Sequence, residues 1–185
     1  DALEARLAAL EGATHASAFA SGMAAIASTC LALLEPGDRV VAFDSLYGGT
    51  RVLLDDVLTR WGVEVTYADA TDLDALGAAL AGEGGADPAT LCWLETPTNP
   101  LLKLCDLEAA SALAAEVGAR TVVDNTFASP YRQRPLALGA DAVVYSTTKF
   151  LNGHSDALGG AVLADDDALA EAVAFQQGFG LGATP

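Results

Sequence analysis

The chain has 185 residues, 52% of them hydrophobic, and a mean hydropathy of +0.34. That length and apolar content predict one well-buried domain, or the larger part of one. The 25 acids against 9 bases give a formal net charge of −16, which repels phosphate backbones and argues against a nucleic-acid partner. No apolar stretch approaches the roughly 18 residues of a membrane span.

The predicted elements alternate along the chain between short apolar strands and longer alanine-rich helices. The strands are predicted at Ala16–Ala20, Arg39–Asp44, Val63–Ala68, Thr90–Glu95, Arg120–Asp124, Ala142–Ser146 and Gly160–Ala164. The helices are predicted at Ala2–Glu11, Met23–Leu34, Gly49–Trp61, Leu73–Ala81, Leu107–Val117 and Asp166–Gln177. Strands such as "RTVVDN" and "DAVVYS" are apolar almost throughout, which is typical of strands covered on both faces. The pattern predicts an α/β fold with a mostly parallel seven-stranded sheet sandwiched by helices.

The cysteines and histidines limit the chemistry further. Cys30, Cys92 and Cys105 are scattered and form no CxxC pair, so a reducing compartment such as the cytoplasm fits better than a disulfide framework. His15 and His154 are the only histidines, so no metal site built on histidine is expected.

The strand ends carry the polar residues of interest. In open α/β sheets a ligand binds outside the carboxyl ends of the strands. The residues expected there are Ser21-Gly22-Met23, Ser45-Leu46-Tyr47, Glu95 through Asn99, Asp124-Asn125-Thr126 and Ser146 through Lys149. No strand end carries a dinucleotide-binding or P-loop glycine pattern.

Lys149 follows three hydroxyl residues in "YSTTKF", and the chain has one other lysine, Lys103. A lysine just past a strand is often a plain surface residue. Here Ser146, Thr147 and Thr148 are suited to holding a phosphate beside the amine. A lysine next to a phosphate site is the arrangement that covalent attachment of pyridoxal phosphate (PLP) requires.

Asp124 ends the run "TVVD", 25 residues before Lys149. One interpretation is a turn cap after a strand. The other is a carboxylate that pairs with the pyridinium nitrogen of PLP and keeps the ring protonated. On neighbouring parallel strands, both side chains would lie at one crevice.

Three further segments fit the same cofactor. Ser21-Gly22 precedes a helix that opens at Met23, where free N–H groups and the helix dipole favour a phosphate. Tyr47 is suited to lie against a flat ring, although isolated aromatics are usually core residues. Asn99, between two prolines, is suited to a hydrogen bond with a ring hydroxyl, or to a simple turn.

Together these segments resemble a known family. "SGMAAI", "SLYGGT", "ETPTNP", "VVDNTFASP" and "YSTTKFLNGHSDALGG" are similar to the Cys/Met-metabolism PLP enzymes of fold type I. The resemblance covers nearly the whole chain.

The resemblance implies a role for each matching residue. Lys149 would bond the cofactor covalently, Asp124 would pair with the pyridinium nitrogen and Tyr47 would stack on the ring, and these three form the expected catalytic set. The expected cofactor-binding set is Ser21, Gly22, Met23, Tyr47, Asn99, Asp124, Thr126, Ser146, Thr148 and Lys149, with Thr126 lining the ring opposite Tyr47.

The resemblance also implies an assembly. Family members carry an upstream tyrosine and arginine that reach the neighbouring subunit's phosphate, and a smaller C-terminal domain that grips the substrate carboxylate. Neither segment is found in these 185 residues. The chain is therefore expected to be the PLP-binding large domain, over 1–185, of a longer enzyme. The expected assembly is a homotetramer built from dimers with shared active sites, and these residues alone should bind PLP poorly.

Several activities share this residue set. The segments "WLETPTNPLLKL" and "ASPYRQRPLALGAD" resemble bacterial γ-lyases and γ-synthases. The expected activity is that of a cystathionine γ-lyase, which converts cystathionine to cysteine, 2-oxobutanoate and ammonia. Cystathionine γ-synthase, the O-acylhomoserine sulfhydrylases, methionine γ-lyase and cystathionine β-lyase stay open. A nicotinamide-dependent oxidoreductase fits the sheet but not the missing glycine pattern. A non-enzymatic interaction module would leave Asp124 and Lys149 unexplained.

Overall fold

The computed structural model describes residues 2–82 and 84–181. Within these ranges it has seven strands: β1 (His15–Phe19), β2 (Arg39–Phe43), β3 (Glu64–Ala68), β4 (Leu91–Glu95), β5 (Arg120–Asp124), β6 (Ala142–Tyr145) and β7 (Gly160–Ala164). They form one sheet in the order β1-β7-β6-β5-β4-β2-β3. This arrangement confirms the predicted α/β class and the seven-stranded sheet.

The sheet combines parallel and antiparallel pairs. Strand β2 pairs in parallel with both β3 and β4, whereas β7 is antiparallel to β1 and to β6. The antiparallel β7 follows β6 through a connection, residues 146–159, that contains no described helix or strand. That connection carries Ser146, Thr148 and Lys149. Because antiparallel neighbours need no helical crossover, the segment is free to form a loop.

Most helices of the described residues match their predicted positions closely. The helices are α1 (Ala2–Glu11), α2 (Gly22–Leu33), α3 (Gly48–Val52), α4 (Leu73–Ala81), α5 (Leu107–Glu116), α6 (Ser129–Arg132) and α7 (Asp167–Gln176). Asp72, Asp106 and Asp166 cap α4, α5 and α7 by accepting hydrogen bonds from first-turn N–H groups, which explains why those three helices begin where they do.

Two stretches differ from the prediction. The single helix predicted over Gly49–Trp61 is α3 followed by a π-helical segment, Leu53–Leu58, and a 3₁₀ turn, Thr59–Trp61. The short helix α6 and the 3₁₀ turn Pro135–Leu138 were not predicted, because they are too short to show a helical hydrophobic period. Across the described residues, no helix has the length and apolar character to cross a membrane.

The described residues divide into two compact units. The first unit comprises residues 2–33, 124–137 and 141–181. In it α1, α2 and α7 contact β1 or β7, and a core cluster joins Leu7, Val143, Tyr145, Ala161 and Leu163. All residues of β6 and β7 are buried, so both faces of these strands are covered.

The second unit comprises residues 34–82, 84–123 and 138–140. Every residue of β2 and β4 is buried, and α4 and α5 contact β3 and β4 respectively. Trp93 on β4 is the largest fully buried side chain there. These continuous apolar strands account for the sequence pattern that predicted a two-sided sheet.

Arg39, at the start of β2, is a buried cation in this unit, with 4% of its surface exposed. Its guanidinium donates to the carbonyl oxygens of Ala79 (2.7 Å), Leu80 (3.1 Å) and Asp87 (2.5 Å). Ala79 and Leu80 lie in the last turn of α4, where carbonyl groups lack helical partners and the helix dipole favours a positive charge. Arg39 therefore closes the end of α4.

We expect Arg39→Met to lower the free energy of unfolding by about 2–4 kcal/mol, because the methionine fills the volume but removes the charged donor shared by these three carbonyls. Urea denaturation measures the change. Arg60→Met, at an exposed arginine, is the matched control and should stay within about 0.5 kcal/mol of the wild type. Equal stability of the two variants would contradict a capping role for Arg39.

Candidate functional site

The start of α2 presents unused backbone donors. Ser21 Oγ accepts a hydrogen bond from the N–H of Ala24 (3.1 Å), and the Ser21 carbonyl accepts from the N–H of Ala25 (3.1 Å). Within the described part of the chain, the N–H groups of Gly22 and Met23 donate to no protein acceptor. Free N–H groups at the positive end of a 12-residue helix form a favourable site for an anion.

Glycine lets this helix start approach the turn after β6. A Cβ at Gly22 would lie 2.7 Å from Ser146 Cβ, closer than real Cβ atoms approach, and 3.1 Å from Ser146 Oγ. At Gly160, the first residue of β7, a Cβ would lie 2.9 Å from the Gly22 nitrogen. The two glycines therefore bring the N–H groups of α2 beside the Ser146 hydroxyl. Gly160 was not among the predicted site residues, although the pair Gly159-Gly160 at the start of a strand was a usable signal.

The turn after β6 holds the predicted lysine. The N–H of Lys149 donates to the Ser146 carbonyl (3.1 Å), and the N–H of Gly153 donates to the Lys149 carbonyl (2.8 Å). Thr148 Oγ1 exchanges hydrogen bonds with the backbone of Gly159, donating to its carbonyl (3.2 Å) and accepting from its N–H (3.0 Å). This exchange fixes the turn to the start of β7 and occupies the Thr148 hydroxyl that was predicted to hold a phosphate.

The Lys149 side chain is exposed, unlike its neighbours Ser146 and Thr148, which are half-buried. No acid, carbonyl or hydroxyl of the described residues hydrogen-bonds or ion-pairs with its amine. The backbone is held on both sides of Lys149 while its amine is left available.

Asp124 lies at the end of β5 with 7% of its surface exposed. Its Oδ1 accepts from the N–H of Thr126 (3.0 Å), and the N–H of Ser146 donates to Thr126 Oγ1 (2.9 Å). Thr126 thus links the buried carboxylate to the turn that carries Ser146 and Lys149. Burial raises the pKa of the Asp124 carboxyl, and the hydrogen bonds from Thr126 oppose that rise.

The remaining predicted residues, Tyr47 and Asn99, belong to the second unit and share a partner there. Glu95, buried at the end of β4, accepts from the N–H of Tyr47 through Oε2 (2.8 Å) and from the N–H of Asn99 through Oε1 (2.6 Å). Tyr47 directly precedes α3 and is 45% exposed, so its ring is available. The sequence analysis placed Glu95 at a strand end but gave it no role. A lone acid closing an apolar strand was the signal for such a residue.

The first unit therefore brings together Ser21, Gly22, Met23, Asp124, Thr126, Ser146, Thr148 and Lys149, and the second unit brings together Tyr47 and Asn99. The family described as Cys/Met metabolism PLP-dependent enzyme matches residues 1–185. The chain belongs to this family. The family uses pyridoxal phosphate as its cofactor, and the predicted resemblance is confirmed.

The chain is also similar to proteins that carry names. It is 52% identical over 185 residues to a cystathionine γ-synthase of Mycobacterium tuberculosis, covering all of this chain and 46% of that protein. A solved cystathionine γ-lyase from Lactobacillus plantarum, in complex with L-serine, is 42% identical with a TM-score of 0.92, over 100% of this chain and 47% of that one. A solved methionine γ-lyase from Micromonospora echinospora is 50% identical with a TM-score of 0.89, and the match covers 97% of this chain and 48% of that one.

The chain thus spans about half the length of the curated relatives that it matches. The relatives are enzymes of sulfur amino-acid metabolism, and the solved structures share the fold type I architecture.

The close approach of Gly22 and Ser146 yields a direct prediction. Gly22→Ala should weaken PLP binding at least about tenfold, because the added methyl must push the free N–H groups of α2 away from the Ser146 hydroxyl. Fluorescence or absorbance titration of the cofactor-free protein with PLP measures the affinity.

Gly48→Ala is the matched control, since Gly48 also opens a helix, α3, and a Cβ there would meet nothing within 4 Å. Equal PLP affinity in the Gly22 and Gly48 variants would show that the close approach at Ser146 has no part in binding.

Proposed function

We propose that this chain provides the pyridoxal phosphate-binding large domain, over residues 1–185, of an enzyme that acts at the γ carbon of a sulfur amino acid. The observation that carries the proposal is the linkage in the first unit from buried Asp124 through Thr126 to the Ser146 turn, with Lys149 one turn further along. The family match supports the cofactor, and the linkage supports the residues that would hold it.

The residues present fit the two charged ends of the cofactor. At one end, a phosphate would find three hydrogen-bond donors: the free N–H groups of Gly22 and Met23 and the hydroxyl of Ser146. Ser21 contributes indirectly by capping the helix, and Thr148 by holding the turn. At the other end, Asp124 is a buried carboxylate whose raised pKa indicates that a positive partner would stabilise its ionised form.

Each catalytic residue then has a defined task. Bound pyridoxal phosphate supplies an electron sink for the reaction. Asp124 keeps a proton on the pyridine nitrogen through an ion pair. The Lys149 amine would hold the cofactor covalently, and as a free amine it would take the proton from substrate Cα as a general base. Exposure leaves that amine free to exchange partners.

Tyr47 and Asn99 keep the roles that the resemblance implies, stacking on the ring and contacting its hydroxyl. The support within the second unit is that Glu95 holds the backbone of both residues, leaving the Tyr47 ring exposed. We also propose the homotetramer of dimers with shared active sites and a cytoplasmic location. The location is supported by Cys30, Cys92 and Cys105, which are free thiols.

Two reactions are compatible with these residues. In γ-replacement, as in a cystathionine γ-synthase, the sulfur of cysteine bonds to Cγ of an O-acylhomoserine and the acyloxy group leaves as a carboxylate. In γ-elimination, as in a cystathionine γ-lyase, cystathionine and water yield cysteine, 2-oxobutanoate and ammonia. The relative at 52% identity favours replacement, and the solved γ-lyase at TM-score 0.92 keeps elimination as the second candidate.

A product assay on the complete gene product separates the two reactions. We expect cystathionine to form from O-succinylhomoserine or O-acetylhomoserine with cysteine. Formation of 2-oxobutanoate from cystathionine at a higher kcat/KM would replace this assignment with the γ-lyase. Absence of both products would contradict γ-carbon chemistry.

A further inference from the structure

A buried polar network lies directly behind the proposed cofactor residues of the first unit. Asn125 Nδ2 donates to Tyr145 Oη (2.7 Å), and Tyr145 Oη donates to Glu11 Oε2. On the far side, Gln133 Nε2 donates to Asn125 Oδ1 (2.8 Å), and Asn125 Nδ2 donates to the Gln133 carbonyl (2.9 Å). Asn125, Tyr145 and Glu11 are 0%, 1% and 2% exposed, so water cannot replace these contacts.

The hydrogen bonds between side chains in this network end on Glu11, and a further hydrogen bond from Asn125 Nδ2 returns to the Gln133 carbonyl. Each link from Gln133 through Asn125 and Tyr145 passes an N–H or O–H toward the carboxylate, so Glu11 is the final acceptor. Its other oxygen, Oε1, is buried without a hydrogen-bond partner among the described residues. Burial raises the pKa of the Glu11 carboxyl, and the hydrogen bond from Tyr145 opposes that rise.

Such a network is costly in a position where an apolar core would suffice. Tyr145 belongs to a core cluster with Leu7, Val143 and Leu163, yet its hydroxyl binds a buried carboxylate whose other oxygen, Glu11 Oε1, is unpaired. This cost indicates that the network fixes the positions of the segments it joins, and does not serve stability alone.

Its members flank the proposed cofactor residues. Asn125 follows Asp124 in the chain, and Tyr145 precedes Ser146. The N–H of Asn125 also donates to the Val144 carbonyl (3.1 Å), and the N–H of Ser146 donates to Thr126 (2.9 Å). The hydrogen bond between the Asn125 and Tyr145 side chains therefore lies between two hydrogen bonds donated by backbone N–H groups. Together the three hydrogen bonds join the turn after β5 to the end of β6.

We propose that Tyr145 and Glu11 are positioning residues that set the separation between Asp124 and Ser146, and with it the fit to the two ends of PLP. The inference rests on the proposed function. Neither residue touches the cofactor in this scheme, because both act through Asn125.

The test compares the complete gene product with Tyr145→Phe, which removes one hydroxyl and keeps the ring in its core cluster. Tyr131→Phe is the matched control, since Tyr131 is 90% exposed. We expect Tyr145→Phe to weaken PLP binding about tenfold and to reduce the visible circular dichroism of bound PLP, while Tyr131→Phe changes neither. A fall in Tm with unchanged PLP affinity and dichroism would overturn the proposal, because that result describes a structural role only.

A second variant keeps the test decisive if Tyr145→Phe folds poorly. Glu11→Gln retains a carbonyl oxygen to accept from Tyr145, and Glu116→Gln, at an exposed helix end, is its control. We expect Glu11→Gln to show a smaller loss of affinity, about threefold, with the same change in dichroism. Affinity and dichroism equal to the Glu116 control would overturn the proposal. If the wild type binds no PLP, the proposed function itself fails. If the wild type binds PLP and the variants bind it equally well, only the positioning proposal fails.

Discussion

Lys149→Ala should abolish covalent attachment of PLP and lower kcat by at least about 10³-fold, with the fold intact. The loss is large because one amine is proposed both to anchor the cofactor and to move the Cα proton, and a positioned general base alone contributes about 10²–10⁴-fold. Truncation should cost little stability, since the side chain is exposed and its amine has no partner among the described residues. Turnover, the visible absorbance of bound PLP and Tm measure the three effects.

Lys103→Ala is the matched control, because Lys103 is the other lysine of these 185 residues. The Lys103 amine is already held by Asp44 (3.0 Å) and Asp69 (2.9 Å) in the second unit. That variant should keep the absorbance of bound PLP. If covalent attachment survived in Lys149→Ala and was lost in Lys103→Ala, the cofactor would be bound to Lys103 and the assignment to Lys149 would be wrong.

Asp124→Asn should lower kcat at least about 100-fold, equivalent to about 2.7 kcal/mol of activation free energy. A neutral amide cannot hold the pyridine nitrogen protonated, so the proton at Cα leaves less readily. PLP should still bind, because the phosphate donors at α2 and Ser146 are unchanged. Steady-state kinetics at saturating PLP measures the effect, and a kcat within about twofold of the wild type would refute the pyridinium role.

The same substitution should stabilise the protein when it is free of cofactor. Burial raises the pKa of Asp124 in the folded state above its usual value of 3.8, so ionisation at neutral pH opposes folding. The stability that the protonated carboxyl provides is fully present below pH 3.8 and is lost as the pH rises through the raised folded pKa.

The Tm advantage of Asp124→Asn over the wild type should therefore grow as the pH rises through that window and level off above it. Saturation with PLP should reduce the advantage, because the cofactor supplies the missing positive partner. Thermal melts across this pH range, with and without PLP, test both statements. An Asn variant that is less stable than the wild type at neutral pH without cofactor would contradict the burial argument.

Much of the fold follows from local patterns in the chain. Apolar runs such as Val40–Phe43 and Ala142–Tyr145 are buried on both faces, and this produces the continuous hydrophobic signal that predicted them. Aspartates placed one residue before α4, α5 and α7 fixed the helix starts. The reversed direction of β7 had no local signal, because strand direction depends on pairing between distant residues and not on side-chain period.

The site was predictable to the level of residue types at strand ends. Lys149, Asp124 and the Ser21-Gly22 turn stand out because charged or small polar residues interrupt apolar strands there. The hydrogen bond between Thr126 and Ser146 and the role of Glu95 were not predictable, since both depend on the exact approach of backbone N–H groups. The network behind the site was also hidden, because Glu11 lies 134 residues from Tyr145 in the chain.

The central claim is that Lys149 carries the cofactor, and peptide mapping after borohydride reduction tests it most directly. The complete gene product is incubated with PLP, reduced with borohydride, digested and analysed by mass spectrometry. We expect the pyridoxyl phosphate group on the peptide that contains Lys149, at one group per chain. Its absence from that peptide, with the group on Lys103 or spread over other amines, would contradict the account.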